Sequence, residues 1–528
     1  MPMPDSLLIK QRLLAALQLD IQDNANAACE AYEALLQEWP GQVEILLPLA
    51  KARIRTGKPE QAVDVLATLL STQPDHREAL EMFYNLAAGP ASALCCERME
   101  RLVAAQPHAL TLRAAAAGLY LTLGKREEEL AHLEVLNRHD IRAEAFYLQY
   151  ATALRNAGRI ASAIDICKKA LADSPQSITL LKLRGDLFLA RGECEEALRD
   201  FMQAQALAPD NHHTRLRVGA AKMLMSDLRE GIKEFGAHYD LEIELHTFAF
   251  AIPEWRGEPL AGKRLLIWAS QGIGDIVMFA GFLPWVMAQG VEVTFALYPR
   301  LMPLFARSFP QARVVLLTLD MPALHGPAHD YHIAIGQLMA LALPHYTPAV
   351  HPPYLKADAM RTQALREQYL ARSAGARKKL IGISWHTNSA DTSVLRTIPL
   401  SAWQPLLSLP HLQFVSLQYG SHAKDIALME RVFPGALIHD PAIDAYRDTD
   451  GLAAQTAAMD EVISIDNSAV HLAGALGVPV TLLLSSASEW RWGYGRTTTR
   501  WYGSLTIERQ EQLLNWTPVM KRVRKRLA

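Results

Sequence analysis

The clearest pattern of apolar and polar positions lies in residues 461–492 and predicts a strand, a polar turn, a helix and a second strand. The first apolar run ends at Asp466-Asn467-Ser468, residue types whose side-chain oxygens cap the first free amides of a helix. Gly477 suits a left-handed helix end, and residues 480–484 have the composition of a buried strand. Helix N-termini at the carboxyl edge of a parallel sheet bind anions, so this unit predicts a phosphate-containing ligand above residues 468–470.

A helical repeat occupies residues 1–240. Gly124, Gly158 and Gly192 are spaced 34 residues apart between helical patterns, and Ser226 falls on the next step. Prolines end the second helix at Pro40, Pro74, Pro107, Pro175 and Pro209, with one intervening unit that has Ile141 in place of proline. Packing positions recur in the pairs Ala163/Ala197, Ala170/Ala204 and Leu171/Ala206. The pattern resembles the tetratricopeptide repeat, whose helix pairs stack into a superhelix with a concave binding face. We expect this region to bind a protein; a solenoid used only as a spacer or dimerisation surface is the alternative.

The pattern changes after a linker at 241–262, which is rich in proline and glycine. Short apolar strands then alternate with helical segments, which is typical of α/β domains with parallel sheets. The strands predict a first domain at 263–375 and a second at 376–515, followed by a basic helix at 516–528. The two domains are expected to close on each other about the segment 360–378. The predicted strands are 265–268, 291–297, 314–319 and 331–335 in the first domain, and 380–385, 414–418, 436–439, 462–465 and 480–484 in the second.

The turn after the first of these strands, residues 270–275 (SQGIGD), leads directly into a helix. Its glycines allow a ligand to approach the backbone closely, although two glycines do not make the dinucleotide-binding fingerprint. By position alone Asp275 is either the N-cap of that helix or a carboxylate at the floor of a cleft that takes a proton from an attacking hydroxyl. Gln271, Gly272 and Gly274 are candidate cleft residues beside it.

The loop after the first strand of the second domain carries His386 and Asn388, also candidate cleft residues, and continues to Arg396-Thr397. Arginine makes bidentate contacts with phosphate oxygens, so this loop suits a diphosphate; an ordinary surface loop with a solvated arginine is the alternative. His471 lies one turn into the later helix, where it is either a packed core histidine or a ligand contact.

The composition of the chain argues against several classes of partner. Lys and Arg number 53 against 55 Asp and Glu, a net charge of -2, so no overall field draws the protein to nucleic acid or to a membrane surface. No basic leader and no apolar run of about 18 residues are visible, which predicts a cytoplasmic protein without an integral membrane segment. The histidines at 325, 329 and 332 are interpreted as loop residues rather than metal ligands, and the five cysteines as reduced packing residues.

Three segments in chain order carry a family resemblance: residues 263–284 (KRLLIWASQGIGDIVMFAGFLP), 382–400 (GISWHTNSADTSVLRTIPL) and 463–480 (ISIDNSAVHLAGALGVPV). With EWRWG and WYGS farther on, they resemble the bacterial tetratricopeptide-repeat glycosyltransferases related to the lipopolysaccharide heptosyltransferases of family 9. A likeness to the protein O-GlcNAc transferases is more distant. The resemblance covers about residues 250–515 and implies the GT-B fold, in which a Rossmann-like acceptor domain and a Rossmann-like nucleotide-sugar donor domain face a cleft.

The resemblance also implies residue roles. In heptosyltransferases the Gly-Asp after the first strand holds the proposed catalytic base, which matches Gly274-Asp275 and favours the cleft carboxylate over the N-cap. Arg396, with Thr397 beside it, is expected at the donor phosphate. The chain departs from the family pattern at two places. Ser270 stands where many relatives have Glu, and Ser485-Ser486 replaces a Pro-containing turn. The identities of the donor and the acceptor therefore cannot be transferred from the family. The segment that holds the donor in the family corresponds here to Asp466, Asn467, Ser468, Ala469 and His471.

These inferences together predict metal-independent, inverting sugar transfer with a nucleotide sugar as substrate and no cofactor. Asp275 deprotonates the acceptor hydroxyl, while Arg396 and the helix N-terminus after Asp466 stabilise the departing nucleotide diphosphate. The repeats favour a protein acceptor, with flagellin or another surface protein as a typical client of this class. A lipopolysaccharide or glycan transferase and a non-catalytic repeat scaffold are the alternatives, and the intact charged residues count against the scaffold.

Overall fold

The computed structural model describes residues 5–22, 24–40, 42–225, 227–235, 250–318, 328–343, 345, 352–373, 379–387, 393–420, 422–487 and 489–528. Helices precede residue 236, and two parallel sheets with their helices follow residue 263. The chain divides into two compact units, Met1–Arg159 and Ile160–Ala528, so the last helices of the repeat belong to the same unit as both sheets.

Paired helices with glycine turns build the first unit. The helices are α1 (Asp5–Ile21), α2 (Ala25–Glu38), α3 (Val43–Arg55), α4 (Pro59–Thr72), α5 (Arg77–Ala87), α6 (Ser92–Ala105), α7 (Leu110–Thr122), α8 (Arg126–Leu136) and α9 (Glu144–Asn156). Gly124 and Gly158 lie in turns with φ of +66° and +76°, a left-handed backbone that favours glycine. Pro40, Pro74 and Pro107 each stand two residues beyond the end of a helix, which confirms the predicted helix ends.

The second unit begins with five further repeat helices in its described residues: α10 (Ile160–Asp173), α11 (Ile178–Arg191), α12 (Cys194–Leu207), α13 (His212–Leu224) and α14 (Leu228–Phe235). The paired alanines of α10 and α12 are buried as the repeat predicts. The pairing of Leu171 with Ala206 was wrong, because Ala206 is exposed. The 34-residue period aligns Leu171 with Gln205, not with Ala206. Because successive side chains on a helix are rotated by about 100°, Ala206 points away from the packed face. Ser226 lies outside the described residues.

The first sheet has the parallel strand order β3-β2-β1-β4. Apolar side chains bury β1 on both faces, as a parallel sheet covered by helices requires. Its strands are β1 (Arg264–Trp268), β2 (Glu292–Leu297), β3 (Arg313–Leu316) and β4 (Tyr331–Ala334), and its helices are α15 (Ile273–Phe279), α16 (Leu283–Met287), α17 (Met302–Ser308) and α18 (Leu338–Ala342).

His332 was interpreted as a loop histidine although the predicted strand 331–335 contains it, and the structure supports the strand. His332 lies inside β4 rather than in a loop, its ring stacks on Phe250 with centroids 3.7 Å apart, and its Nδ1 accepts a hydrogen bond of 3.4 Å from Trp268 Nε1. Burial lowers the pKa of His332 to about 4, so the residue is neutral in the folded protein. His329 lies in the preceding loop, and His325 is outside the described residues.

The second sheet is also parallel, in the order β10-β9-β8-β5-β6-β7. Strand β10 was not predicted, although Leu505-Thr506-Ile507 alternates buried and exposed positions as an edge strand does. The strands are β5 (Lys379–Ser384), β6 (Leu412–Ser416), β7 (Leu437–Ile438), β8 (Glu461–Ile465), β9 (Val480–Leu484) and β10 (Leu505–Arg509). The helices are α19 (Ala359–Arg372), α20 (Ser393–Arg396), α21 (Gln404–Leu407), α22 (Ala423–Val432), α23 (Thr449–Ala457), α24 (Ser468–Leu476) and α25 (Thr517–Leu527).

A continuous apolar core joins the two α/β domains. Helix α15 of the first domain packs on α24 of the second, and Tyr354 Oη donates a hydrogen bond of 2.7 Å to the carbonyl of Val277. Most of the segment about which the domains would close is the ordered helix α19, whose buried Tyr369 donates to Asp440 Oδ2 at 2.8 Å. A closing motion about this segment would therefore have to break the apolar contacts between the two domains in addition to bending the connecting segment.

The last repeat helices also pack on the second α/β domain. Helix α13 contacts the 3-10 turn at Trp490–Trp492, and Tyr494 N donates to the carbonyl of Leu224 at 3.2 Å. Gly192, with φ of +82°, lies so close to the ring of Tyr494 that a Cβ atom there would overlap it. Gly192 and α13 are therefore part of the surface that supports this turn.

These observations confirm the predicted fold class in outline: helical repeats are followed by α/β structure with two parallel sheets. The five cysteines are free and buried, as expected of packing residues. Among the described helices, none combines the length and apolar character that crossing a membrane requires.

Candidate functional site

The turn between β1 and α15 brings Asp275 to the carboxyl edge of the first sheet. Gly272 is the N-cap of α15, so Asp275, in the first turn of the helix, is not the cap that its position also allowed. Gln271 has a φ of +69°, a left-handed conformation that costs a non-glycine residue about 1 kcal/mol or more. Strain of this kind persists only where the surrounding structure fixes it, and it is typical of functional turns.

Gly274 allows the two α/β domains to meet beside Asp275. A Cβ atom at this position would lie 2.9 Å from Cδ2 of His471 and 3.6 Å from Cα of Ser468. The close neighbours of Gly274 are thus residues of α24, which places the start of that helix directly against the turn that carries Asp275.

Asn467 holds the start of α24 against the end of β5. Its Oδ1 accepts hydrogen bonds from Ala469 N at 3.0 Å and from Ser464 Oγ at 3.1 Å. Its Nδ2 donates to Ser384 Oγ at 2.7 Å and to the carbonyl of His386 at 3.2 Å. These contacts use the hydrogen-bonding capacity of the amide, so Asn467 fixes the direction of the helix and the local backbone conformation. This bears out the helix start predicted from Asp466-Asn467-Ser468.

Arg396, the last residue of α20, lies between two carboxylates. Its Nη1 is 3.4 Å from Asp466 Oδ2, and its Nη2 donates to Glu489 Oε1. The side chains of Arg396 and Asp466 are 15% and 7% exposed, so this is not the solvated surface arginine of the alternative interpretation. Thr397 lies beside it, with its Oγ1 3.3 Å from His386 Nδ1.

Glu489 and Arg491, two residues that the sequence analysis did not assign to the site, complete it. Nε and Nη2 of Arg491 both donate to Asp275 Oδ1, at 2.8 and 2.5 Å, and its Nη1 lies 3.5 Å from Glu489 Oε2. The guanidinium stacks over the ring of Trp490, 5.0 Å from its centroid. The available signal was a pair of charged residues interleaved with tryptophans just after a buried strand.

These side chains line a cavity of about 430 Å³ between the two α/β domains. From the predicted site it includes Gly274, Asp275, Arg396, Asp466, Asn467, Ser468 and His471, and its other lining residues are Ile273, Arg300, Thr387, Tyr419, Ala445, Tyr446, Glu489 and Arg491. The predicted residues Gln271, Gly272, His386, Thr397 and Ala469 are not among the lining residues, and Asn388 lies outside the described residues. Within the described part of the chain, no three His, Cys, Asp or Glu side chains group as metal ligands.

The charged groups of the cavity alternate in sign. Ion pairs connect Asp275, Arg491, Glu489, Arg396 and Asp466 in that order, from the first domain into the second. Burial raises the pKa of Glu489, but the charges of Arg396, Arg491 and Arg217 together lower it by more, so it lies below its ordinary value. Burial lowers the pKa of Arg491, and the three carboxylates raise it by more. The cavity therefore combines a carboxylate suited to proton transfer with guanidinium groups suited to phosphate.

His471 is a buried histidine with one side on the cavity. Its Nδ1 lies 2.9 Å from Tyr502 Oη, and its ring stacks on Trp492 with centroids 5.1 Å apart. Burial, followed by the charge of Arg491, lowers the pKa of His471 to about 3, although Asp275 opposes this. It is therefore uncharged at neutral pH, so any contact with a ligand is made by the neutral imidazole.

Replacing His471 by glutamine is expected to flatten the dependence of stability on pH in acid. The pKa of His471 is about 3 in the folded protein and near 6.5 in the unfolded chain. Between these values the unfolded state binds more protons, so the stability contributed by His471 is lost as pH falls through this window. Urea unfolding at several pH values measures how steeply the free energy of unfolding changes with pH. His332 contributes equally to this slope in wild type and variant, so the difference between the two slopes reports His471. Equal slopes for wild type and His471→Gln would contradict the assignment.

Comparison with known proteins bears on the repeat first. Residues 21–84 match the tetratricopeptide repeat family. Protein FlbA of Caulobacter vibrioides is 29% identical over 428 residues, which covers 71% of each chain. The match extends beyond the tetratricopeptide repeats, because 428 residues exceed the length of the helical region.

Solved structures are similar to separate parts of the chain. The tetratricopeptide repeat protein YrrB, which has an unusual peptide-binding site, aligns with 42% of this chain and 98% of its own at 14% identity and a TM-score of 0.26. MamA AMB-1 aligns with 39% of this chain and 94% of its own at 20% identity and a TM-score of 0.25. A glycosyl transferase of family 9 from Veillonella parvula aligns with 50% of this chain and 92% of its own at 11% identity and a TM-score of 0.35.

Proposed function

We propose that the protein is a glycosyltransferase that moves a sugar from a nucleotide-sugar donor to a hydroxyl group of a protein. The observation that carries this proposal is the cavity between the carboxyl edges of two parallel sheets. One sheet contributes Asp275, and the other contributes Arg396 and the N-terminus of α24. Ligands of open parallel sheets bind at this edge, and the charges present match an acceptor hydroxyl on one side and a phosphorylated donor on the other.

The second domain is the proposed donor site. Arg396 and the amides at the start of α24 stabilise the negative charge that develops on the leaving nucleotide phosphate. Asp466 and Ser468 lie beside them in the cavity and provide polar contacts to the donor. These groups supply the positive charge for the leaving group from the protein itself.

The first domain presents the proposed acceptor site. Asp275 takes the proton of the acceptor hydroxyl as its oxygen forms a bond to the anomeric carbon. The bond between that carbon and the phosphate oxygen breaks at the same time, and its electron pair leaves with the nucleotide. Attack from the side opposite the leaving group inverts the configuration at the anomeric carbon.

The repeat favours a protein acceptor. Stacked helix pairs present an extended concave surface, which suits a polypeptide more than a single sugar. Flagellin is the first acceptor to try, as a client typical of the class that the sequence resembles. A lipopolysaccharide or glycan acceptor is the competing outcome of the same assay.

Binding of one donor is expected to raise the unfolding temperature of the wild-type protein. We would test ADP-heptose and UDP-, GDP-, dTDP- and CMP-linked sugars. A donor at a hundredfold excess over its dissociation constant stabilises the folded state by about 2.7 kcal/mol. The Asp466→Ala variant is expected to lose this shift, while Arg256→Lys, whose side chain is 79% exposed beside Glu254, is expected to keep it.

A donor identified in this way would then be supplied in labelled form with purified flagellin or with lipopolysaccharide. Label on flagellin would support the proposal. Label only on lipopolysaccharide would mean that the acceptor is a glycan and not a protein. Absence of any donor-induced shift, together with absence of transfer, would contradict the proposed enzyme activity.

A further inference from the structure

Asp275 is held by one of its two carboxylate oxygens. Nε and Nη2 of Arg491 both donate to Oδ1, at 2.8 and 2.5 Å. Among the described residues Oδ2 has no hydrogen-bond partner, and the side chain lines the cavity at 19% exposure. The contact is therefore one-sided: one oxygen is anchored, and the other is left for a group that enters the cavity.

Arg491 is itself fixed on several sides. Its carbonyl accepts a hydrogen bond of 2.6 Å from Trp501 Nε1, and its guanidinium lies over the ring of Trp490 and against Glu489. The turn that carries it is anchored again at Gly493, whose carbonyl accepts from Arg509 Nη2 at 2.7 Å. The side chain is only 16% exposed. An arginine held this firmly has little freedom left to lose when it orients a second group.

We propose that Arg491 is a positioning residue that anchors Asp275 Oδ1 and directs Oδ2 to the acceptor hydroxyl. The inference deepens the proposed function and rests on it. Arg491 comes from the domain that holds the donor, whereas Asp275 comes from the domain that holds the acceptor. The ion pair thus fixes the base of one domain relative to the leaving-group site of the other.

Proton transfer makes this orientation important. The hydroxyl proton passes to Asp275 Oδ2 while the acceptor oxygen bonds to the anomeric carbon, so the carboxylate and the donor must be aligned together. Without Arg491, the carboxylate of Asp275 is free to turn about its side-chain bonds. A displacement of about 1 Å at a reacting group costs about 100-fold in rate.

A direct contact between Arg491 and the donor phosphate is the competing role, and kinetics separate the two. Positioning predicts that Arg491→Ala lowers kcat about 100-fold and leaves the dissociation constant of the donor unchanged. A phosphate contact predicts weaker donor binding instead. Arg491→Lys retains the positive charge but cannot donate two hydrogen bonds from a planar group to Oδ1. The positioning role therefore predicts a kcat between those of Arg491→Ala and wild type.

The experiment is a double-mutant cycle on the full chain with Asp275→Asn and Arg491→Ala, with unfolding curves to establish that each variant folds. If Arg491 acts through Asp275, its removal has no further effect on kcat in the Asp275→Asn background. Added guanidinium ion at millimolar concentration is expected to restore part of the activity of Arg491→Ala but none of that of Asp275→Asn.

Equal losses in both backgrounds, or a loss confined to donor affinity, would overturn the positioning role. So would an Arg491→Ala protein that retains full kcat beside an active wild type. An inactive wild type that binds no donor is a different result, because it contradicts the proposed function itself.

Discussion

The Asp275→Asn variant is expected to transfer sugar about 10²–10⁴-fold more slowly than wild type and to bind the donor with unchanged affinity. The asparagine oxygen still accepts hydrogen bonds from Arg491, so the shape of the cavity and the anchored turn are retained. What is lost is the group that takes the proton of the acceptor hydroxyl. Turnover at saturating donor, together with a donor titration, measures the two quantities separately.

Asp330→Asn is the matched control for this variant. Asp330 lies just before β4, at the opposite edge of the first sheet, where its Oδ2 accepts a hydrogen bond of 2.8 Å from the backbone nitrogen of Arg264. Its replacement is expected to leave kcat unchanged. Turnover by Asp275→Asn within a factor of two or three of wild type would exclude Asp275 as the base.

Replacing Arg396 by methionine is expected both to destabilise the protein and to abolish donor binding. Asp466 is 7% exposed and loses its ion-pair partner, and an unpaired charge at such a site costs about 3 kcal/mol or more. The donor phosphate loses a charge-assisted contact as well. Urea unfolding reports the first effect, and the donor-induced rise in unfolding temperature reports the second.

The double variant Arg396→Met, Asp466→Asn separates these two effects. Neutralising Asp466 removes the unpaired charge, so much of the lost stability is expected to return, whereas donor binding stays lost because both residues are proposed to contact the donor. Recovery of donor binding along with stability would mean that Arg396 serves the fold rather than the donor. A single Arg396→Met variant as stable as wild type would contradict the structural half of the prediction.

Local signals explain why the unit at residues 461–484 was predicted almost to the residue. An apolar run, the Asn467 cap and Gly477, which ends α24 with φ of +78°, all act within a few residues of one another. The repeat was predictable for the same reason, because glycines and prolines mark most of its turns. Strand β10 alternates clearly but is short, and its pairing with β9 depends on the tertiary structure.

The candidate site was predicted in part because its residues act at long range. Asp275 was identified through a family resemblance, whereas its partner Arg491 stands 216 positions away in the chain. The residues next to Arg491 do not show that the more distant Trp501 and α13 help to hold it in place. Likewise, His332 was interpreted as a loop histidine although the predicted strand 331–335 contains it, and its burial comes from the distant residues of β1 and Phe250.

The support of the Trp490–Trp492 turn by α13 has a consequence for building chimaeric proteins. The last helices of the repeat are bound to the α/β half through Leu224, Gly192 and Tyr494, although by sequence they belong to the repeat. Grafting a foreign repeat at the change from helices to strands would cut through that support and disturb Arg491. A graft at residues 159 and 160, where the two compact units divide, leaves it whole, so the exchangeable module is shorter than the repeat itself.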